Sequence, residues 1–275
     1  MNYYVTTMSS EYFNALGYKT LQSWLKNCND GEIILFSENF KPVWDQPHQI
    51  VNWSDSFYDK LKIIDLSLSD KWSSLQNILT GRAKNFIWKA AAWEYSVKNL
   101  KGVVTFFDAD LICFKNPFPL INEFVINKHD ISYMSVNDVR PHADSCFYSI
   151  NTESEKCKLI LDTYMFEYHE NTKNTNIYPK PYDAPVLART IDILKNELSI
   201  WNFNEGSTAK SPLKDTILTT YFRHLKGNQK DSGRLMNLID KTMNAIDKNK
   251  TIEEVLLRFD RKLRQDDSKK LGVPF

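Results

Sequence analysis

The chain contains 275 residues, of which 42% are hydrophobic and 25% are charged, and its formal net charge is +1. This length and composition are ordinary for a globular protein with a full-sized core, and the near-zero charge argues against a nucleic-acid or membrane partner bound through bulk electrostatics. Because no apolar run approaches the ~20 residues needed to span a bilayer, and the amino terminus lacks the basic start and apolar centre of a signal peptide, the sequence predicts a soluble, cytoplasmic protein.

The amino-terminal part predicts a strand, a helix and a second strand. The first strand is predicted over Tyr3–Met8, where Tyr, Val and Thr follow one another. Ser9 and Ser10 can cap a helix that ends near Asn27, before an Asn-Asp-Gly turn. The second strand is predicted over Glu32–Phe36. Such a βαβ unit favours a parallel sheet, and the lack of a GxGxxG motif after the first strand argues against a dinucleotide site.

An irregular segment and an amphipathic helix are predicted next. Residues 40–80 are expected to be irregular apart from two short strands, Ile50–Trp53 and Lys62–Leu66. The helix is predicted over Arg82–Leu100, because its apolar residues recur at helical spacing, and Gly102 ends it.

The most informative stretch follows this helix. Val103–Phe107 is a run of β-branched and aromatic residues that leads directly into Asp108 and Asp110. Such a run is typical of a strand buried on both faces, and ligands bind beyond the carboxyl ends of these strands in open α/β sheets. Two acids at that point are costly to bury unless a cation joins them. The pair therefore predicts a site for a divalent cation, with capping of the next turn as the structural alternative.

The remaining chain is predicted to alternate between helices and strands. The predicted elements are a short helix at Leu120–Val125, strands at Asp130–Val136 and Cys146–Ile150, helices at Glu153–Glu170 and Tyr182–Leu198, and a strand at Thr216–Phe222. From Ser232 to about Gln265 the chain is charged and predicted to be helical. The four scattered cysteines are predicted to be free buried thiols: Cys28, Cys113, Cys146 and Cys157.

Together these features resemble the GT-A class of nucleotide-sugar-dependent glycosyltransferases, whose hallmark is an Asp-x-Asp after a buried strand. Three later segments are similar to parts of that class: Ser145–Asn151, Tyr182–Leu187 and His224–Gly227. The resemblance covers residues 3–231. It implies an α/β fold of the GT-A type, with a Rossmann-like, mostly parallel sheet flanked by helices in a domain at 1–231. Residues 232–275 would form a helical carboxyl-terminal extension.

The resemblance also implies a reaction. A sugar would pass from a nucleoside-diphosphate sugar, with UDP favoured over GDP, to a hydroxyl acceptor that we expect to be a glycan. Mn²⁺ or Mg²⁺ would be held by Asp108, Asp110 and His224, and would offset the charge of the departing diphosphate. Asp110 is expected to be the direct ligand, with Asp108 reaching the metal through water or contacting the donor ribose.

Further residues are assigned to the donor. The phosphates are expected to contact a glycine that permits close approach and two mobile cations near it: Gly227, Lys226 and Lys230. Lys89 lies on the helix that offers a cation to the donor in this class, with a place on the rim as the alternative. Polar residues at the ends of the first two strands are assigned to base and ribose: Thr6, Thr7 and Glu38.

The acceptor side is assigned to Asp183, with Asp144 as a second candidate. In an inverting reaction Asp183 would act as general base on the acceptor hydroxyl. In a retaining reaction it would orient that hydroxyl or support an oxocarbenium-like transition state. The alternative without a catalytic role is an acid stabilised at a helix amino terminus.

Two other functions are compatible with parts of the sequence. A phosphohydrolase could use the first Asp as nucleophile, but such enzymes place Thr or Val where Ile112 stands. A GT-A-fold protein that binds nucleotide sugars without turnover is the second alternative, because a fold does not guarantee activity. The sequence leaves the oligomeric state open.

Overall fold

The computed structural model describes residues 1–40, 61–80, 83–136, 142–172, 174, 183–204, 213 and 216–225. Several sequence-based assignments lie outside these residues: the strand at 50–53, the first residue of the helix predicted from Arg82, the phosphate contacts Lys226, Gly227 and Lys230, and the extension at 232–275.

A seven-stranded sheet forms the centre of the molecule. Its strands are β1 (Asn2–Met8), β2 (Glu32–Ser37), β3 (Leu61–Asp65), β4 (Val103–Phe107), β6 (Ile131–Val136), β7 (His142–Asn151) and β8 (Ile200–Asn202). They lie in the order β3-β2-β1-β4-β7-β6-β8, and each neighbouring pair is parallel except the two pairs that involve β7. A second, two-stranded antiparallel sheet pairs β5 (Leu111–Cys113) with β9 (Phe222–His224). The predicted α/β class with a mostly parallel sheet is confirmed.

Helices cover both faces of the large sheet. They are α1 (Tyr18–Asn27), α2 (Asp70–Ile78), α3 (Ala83–Asn99), α4 (Phe118–Ile126), α5 (Cys157–Phe166) and α6 (Asp183–Leu194). One core combines alternate side chains of β1 and β2 with α1 and α4, and the other combines the opposite side chains with α2, α3, α5 and α6. The sheet is therefore buried on both sides, which explains why the central strands are continuous apolar runs.

Trp24 of α1 ties the large sheet to the small one. Its ring stacks on Phe107 at a centroid distance of 3.9 Å and on Phe222 at 5.2 Å. Its indole Nε1–H donates to the Leu111 carbonyl oxygen at 2.7 Å, so the polar edge of this fully buried ring is satisfied. Phe107 precedes Asp108, and Phe222 lies two residues before His224, so this packing fixes both chain segments that approach the site.

Gly102 makes the connection between α3 and β4. Its φ of +132° is unfavourable for residues with a Cβ, and an added Cβ would come within 2.1 Å of the Met1 carbonyl oxygen. Glycine is therefore required for β4 to enter the sheet beside β1.

Three predicted elements need correction. Residues 70–78 form a helix inside a segment predicted to be irregular, and only two of its side chains, Trp72 and Leu75, are buried, which is too short a pattern to detect. The strand predicted at Thr216–Phe222 is wrong over most of its length, because Ile217–Thr220 is a 3₁₀ turn. There the Thr219 and Thr220 hydroxyls donate at 2.8 Å to the carbonyls three residues earlier, which competes with strand formation.

The third correction concerns β7, which begins at His142 rather than at Cys146. Ser132 of β6 pairs with Ser149 of β7, whereas Met134 pairs with Asp144, so four residues of β7 lie opposite one residue of β6. Irregularities of this kind re-aim a strand and are common beside functional sites. This one lies at Ser145–Tyr148, next to the end of β4.

Candidate functional site

Asp108 and Asp110 occupy a tight turn between β4 and β5. All five residues of β4 are buried, and the turn begins at its carboxyl end, as predicted. The Asp108 N–H donates to the Cys146 carbonyl oxygen at 2.9 Å, and the Leu111 N–H donates to the Asp108 carbonyl oxygen at 2.9 Å. These bonds fix the backbone, so both carboxylates are held in place. Asp110 is 3% exposed, and the Asp108 side chain is 27% exposed.

The small sheet brings His224 to these carboxylates. Leu111 of β5 pairs with His224 of β9, and the Leu225 N–H continues the ladder to the Asp110 carbonyl oxygen at 3.0 Å. The His224 Nε2 lies 3.1 Å from Asp110 Oδ1 and 3.6 Å from Asp108 Oδ2. One ligand atom from each of the three residues lies within 4.8 Å of the other two.

Lys89 joins the carboxylates from the other side. Its Nζ lies 2.6 Å from Asp108 Oδ1 and 3.0 Å from Asp183 Oδ2. It also donates to the Ser145 carbonyl oxygen at 2.6 Å, where β7 is irregular. Lys89 is 8% exposed, so a place on the rim is wrong: it is a buried cation between two acids.

The charges of the site shift its pKa values strongly. Burial lowers the pKa of Lys89, but the carboxylates of Asp108 and Asp183 outweigh it and hold that pKa well above its usual range. Burial raises the pKa of Asp108 by more than the neighbouring Lys89 lowers it. For His224, burial lowers the pKa, while the hydrogen bond to Asp110 and the nearby charges produce a net rise. Perturbed groups of this kind cluster at functional sites.

Asp183 and Asp144 both border this centre. Asp183 begins α6 and is 2% exposed, and neither of its carboxylate oxygens accepts a hydrogen bond from the described residues, although Oδ2 is ion-paired with Lys89. Asp144 lies on β7, where its Oδ1 accepts a hydrogen bond from the Cys146 N–H at 3.0 Å. The charge of Asp144 also raises the pKa of His224, against the effect of burial and by less than Asp110 and Asp108 raise it.

The predicted base and ribose contacts lie at the carboxyl ends of β1 and β2. Burial raises the pKa of Glu38 to about 7, although a hydrogen bond from Thr7 lowers it in part. Thr6 is 2% exposed, and its hydroxyl has no hydrogen-bond partner among the described residues. Thr7 and Glu38 thus form one hydrogen-bonded polar pair, whereas the Thr6 side chain is buried in the protein interior.

Tyr12 is a site residue that the sequence-based assignment missed. Its hydroxyl donates a hydrogen bond to the Asp110 carboxylate, and burial, then the charge and hydrogen bond of Asp110, raise its pKa. Tyr12 immediately precedes a π-helical turn at Phe13–Gly17, a local geometry that is frequent at functional sites. No pattern in the sequence pointed to a contact with a residue almost one hundred positions away.

Comparisons with known proteins support the fold. The galactosyltransferase LgtC, solved with donor and acceptor sugar analogues, matches with a TM-score of 0.54 and 10% identity over 88% of this chain and 96% of that chain. The apo glycosyltransferase GlyE of Streptococcus pneumoniae TIGR4 matches with a TM-score of 0.52 and 13% identity over 94% of this chain. The match covers 63% of GlyE, so the chain spans less than two thirds of its length. No protein-family model and no curated protein matches the sequence.

These neighbours are GT-A glycosyltransferases, and the chain has the GT-A fold. The resemblance to this class is therefore confirmed for the fold. All four cysteines are buried and none forms a disulfide, as predicted. Within the described residues, the structure contains no helix long and apolar enough to cross a membrane.

Proposed function

We propose that the chain is a glycosyltransferase that moves a sugar from a nucleoside-diphosphate sugar, UDP rather than GDP, to a hydroxyl of a glycan. One observation carries this proposal: Asp108, Asp110 and His224 converge at the carboxyl end of the central strand of a GT-A sheet. Ligands bind at that end of open α/β sheets. The two neighbours described above, both glycosyltransferases, support the same class of reaction.

The three converging residues fit a divalent cation. They offer two carboxylates and one imidazole within 4.8 Å of one another. Carboxylate oxygens suit Mg²⁺ and Mn²⁺, and the resemblance to the GT-A class implies that the imidazole completes the set. When bound, such an ion offsets the negative charge of the departing diphosphate. We propose Asp110 as the direct ligand. The hydrogen bond from the Tyr12 hydroxyl would orient the Asp110 carboxylate towards the ion.

The donor would lie between this site and the ends of β1 and β2. Thr7 and Glu38 would bind base or ribose, with Thr6 beneath them. Lys89 would keep Asp108 and Asp183 in place and bring positive charge towards the donor. The residues after His224 would contact the phosphates: Lys226, Gly227 and Lys230.

The acceptor would approach from the side of Asp183 and Asp144. The ion pair between Asp183 Oδ2 and Lys89 Nζ, at 3.0 Å, favours an orienting role for Asp183 over proton abstraction. A carboxylate in that position can also support oxocarbenium-like charge. Asp144, less buried than Asp183, would line the acceptor pocket.

A thermal-shift experiment tests this function. UDP and GDP are added with and without Mn²⁺, and we expect UDP with Mn²⁺ to raise the melting temperature, since a ligand that binds only the folded state stabilises it. Asp110→Asn and His224→Ala should lose this shift. Asp162→Asn, which changes an exposed acid on α5, should keep it.

Sugar transfer or donor hydrolysis is then measured with a panel of UDP-sugars. Metal-dependent UDP binding without turnover would identify the chain as a binding protein with this fold. An equal shift in Asp110→Asn and in Asp162→Asn would refute the metal assignment.

A further inference from the structure

A second group of ligand atoms lies beside the Asp108–Asp110 turn. One atom each from Asp144, Cys146 and His224 lies within 4.8 Å of the other two. Asp144 and Cys146 are two residues apart on β7, and the hydrogen bond from the Cys146 N–H to Asp144 Oδ1 holds the acid against the cysteine. We propose that these three residues form a binding site for a thiophilic divalent cation of the Zn²⁺ class.

The donor types favour such a cation over Mn²⁺ or Mg²⁺. Thiolate, imidazole and carboxylate are the three protein ligands of zinc, and a thiolate selects softer ions over Mg²⁺ and Mn²⁺. Zinc bond lengths and tetrahedral angles place neighbouring ligand atoms about 3.3–3.6 Å apart. The 4.8 Å limit therefore leaves at most about 1.5 Å to close, which side-chain rotation can supply. On binding, the Cys146 S–H loses its proton to solvent as the sulfur–metal bond forms.

His224 has the capacity to serve this second site. Its Nε2 lies against Asp110, whereas its Nδ1 is buried and has no hydrogen-bond partner among the described residues. A buried polar nitrogen without a partner is costly, and a metal ion would satisfy it. The other buried cysteines lack this setting: burial raises the pKa of the Cys157 thiol to about 11, and the described residues give it no place in a ligand group.

The position of His224 links the two sites. If the proposed function is correct, the same imidazole also serves the Mn²⁺ or Mg²⁺ ion held by Asp108 and Asp110. A thiophilic ion on Cys146 would draw His224 towards β7 and weaken the hard-metal site. Zinc bound at Cys146 would then inhibit nucleotide binding, although the transfer reaction does not itself need Cys146.

Cobalt provides a direct spectroscopic test. Co²⁺ is titrated into the full-length protein, and we expect a near-ultraviolet sulfur-to-metal charge-transfer band that Zn²⁺ abolishes. Cys146→Ala should lack the band and bind Zn²⁺ at least about 100-fold more weakly, because losing even an outer-shell partner costs about 10- to 100-fold. Cys157→Ala, a matched buried cysteine, should keep the band. No band in the wild type, or a band that persists in Cys146→Ala, would overturn the proposal.

Two further measurements keep the interpretation unambiguous. Asp144→Asn should retain the band with weaker Co²⁺ affinity, which tests the site even if Cys146→Ala does not fold. Zn²⁺ should reduce the thermal shift given by UDP and Mn²⁺ in the wild type but not in Cys146→Ala. Equal reduction in both proteins would refute the shared use of His224. If UDP and Mn²⁺ give no shift at all, the proposed transferase function fails, and the cobalt spectra still decide the thiophilic site.

Discussion

The buried cation Lys89 offers the sharpest stability test of the site. Lys89→Met keeps a long apolar side chain but removes the charge between Asp108 and Asp183. The Asp183 side chain is 3% exposed, so its carboxylate would remain buried without its cation. Removing one partner of a buried ion pair typically costs about 3–5 kcal/mol.

The surrounding contacts set where in that range the loss should fall. Asp108 is 27% exposed, so water can partly solvate its carboxylate once the cation is gone, and it adds less to the loss than the more deeply buried Asp183. The Ser145 carbonyl loses a donor, which adds about 1 kcal/mol. We therefore expect Lys89→Met to lower the free energy of unfolding by about 4 kcal/mol.

The same helix provides the control. Lys98 pairs with Glu94 on the surface of α3, with its side chain 58% exposed, and Lys98→Met should cost no more than about 0.5 kcal/mol. Urea unfolding at pH 7 without added metal measures both variants. Asp183→Asn should partly rescue Lys89→Met while destabilising the wild type, a sign change that a double-mutant cycle detects. If Lys89→Met costs no more than Lys98→Met, the reasoning on this buried cation is wrong.

Three more predictions follow from the geometry. Tyr12→Phe removes the hydrogen bond to Asp110 and should weaken Mn²⁺ binding about tenfold in a calorimetric titration, with little change in fold. The Glu38 carboxyl keeps its proton to about pH 7 in the folded protein, whereas it loses its proton near pH 4.5 in the unfolded chain. Because the folded state then binds the extra proton, the free energy of unfolding should fall by up to about 3 kcal/mol as the pH rises between these two values. Glu38→Gln should remove that slope in urea unfolding measured from pH 4 to 8. Trp24→Leu should lower the free energy of unfolding by about 3–5 kcal/mol, because it empties a buried aromatic site and leaves the Leu111 carbonyl without its donor.

Local sequence patterns predicted the central part of this fold well. β4 was recognisable because five consecutive buried residues precede two acids, and α3 because its apolar face repeats over many turns. Both features are contained within one segment of the chain. The same holds for Asp108 and Asp110, because they directly follow β4 in the sequence. Ligands bind beyond the carboxyl ends of the strands in open α/β sheets.

Features that depend on distant pairing were predictable only through the family resemblance, or not at all. β9 has three residues, and its strand character comes from pairing with β5, more than one hundred positions earlier. The sequence therefore indicates His224 only through the motif around it, and no strand pattern marks it. The irregularity in β7 depends on its register with β6, and the contact of Tyr12 with Asp110 depends on how the turn after β1 packs. Neither the irregularity in β7 nor the contact of Tyr12 produces a periodic pattern in the sequence.

The balance of charge at the site bears on how nucleotide and metal would bind. Among the described residues of the site, four acids (Asp108, Asp110, Asp144 and Asp183) lie beside two basic side chains (Lys89 and His224), so even with His224 protonated these acids exceed these bases by two. A diphosphate brought to this surplus without a cation would be repelled, and a divalent ion cancels the surplus. UDP alone should therefore give no thermal shift, and the shift should appear only when Mn²⁺ is present. A shift with UDP alone would show that the phosphates lie away from these acids, and the metal-centred arrangement proposed above would then be wrong.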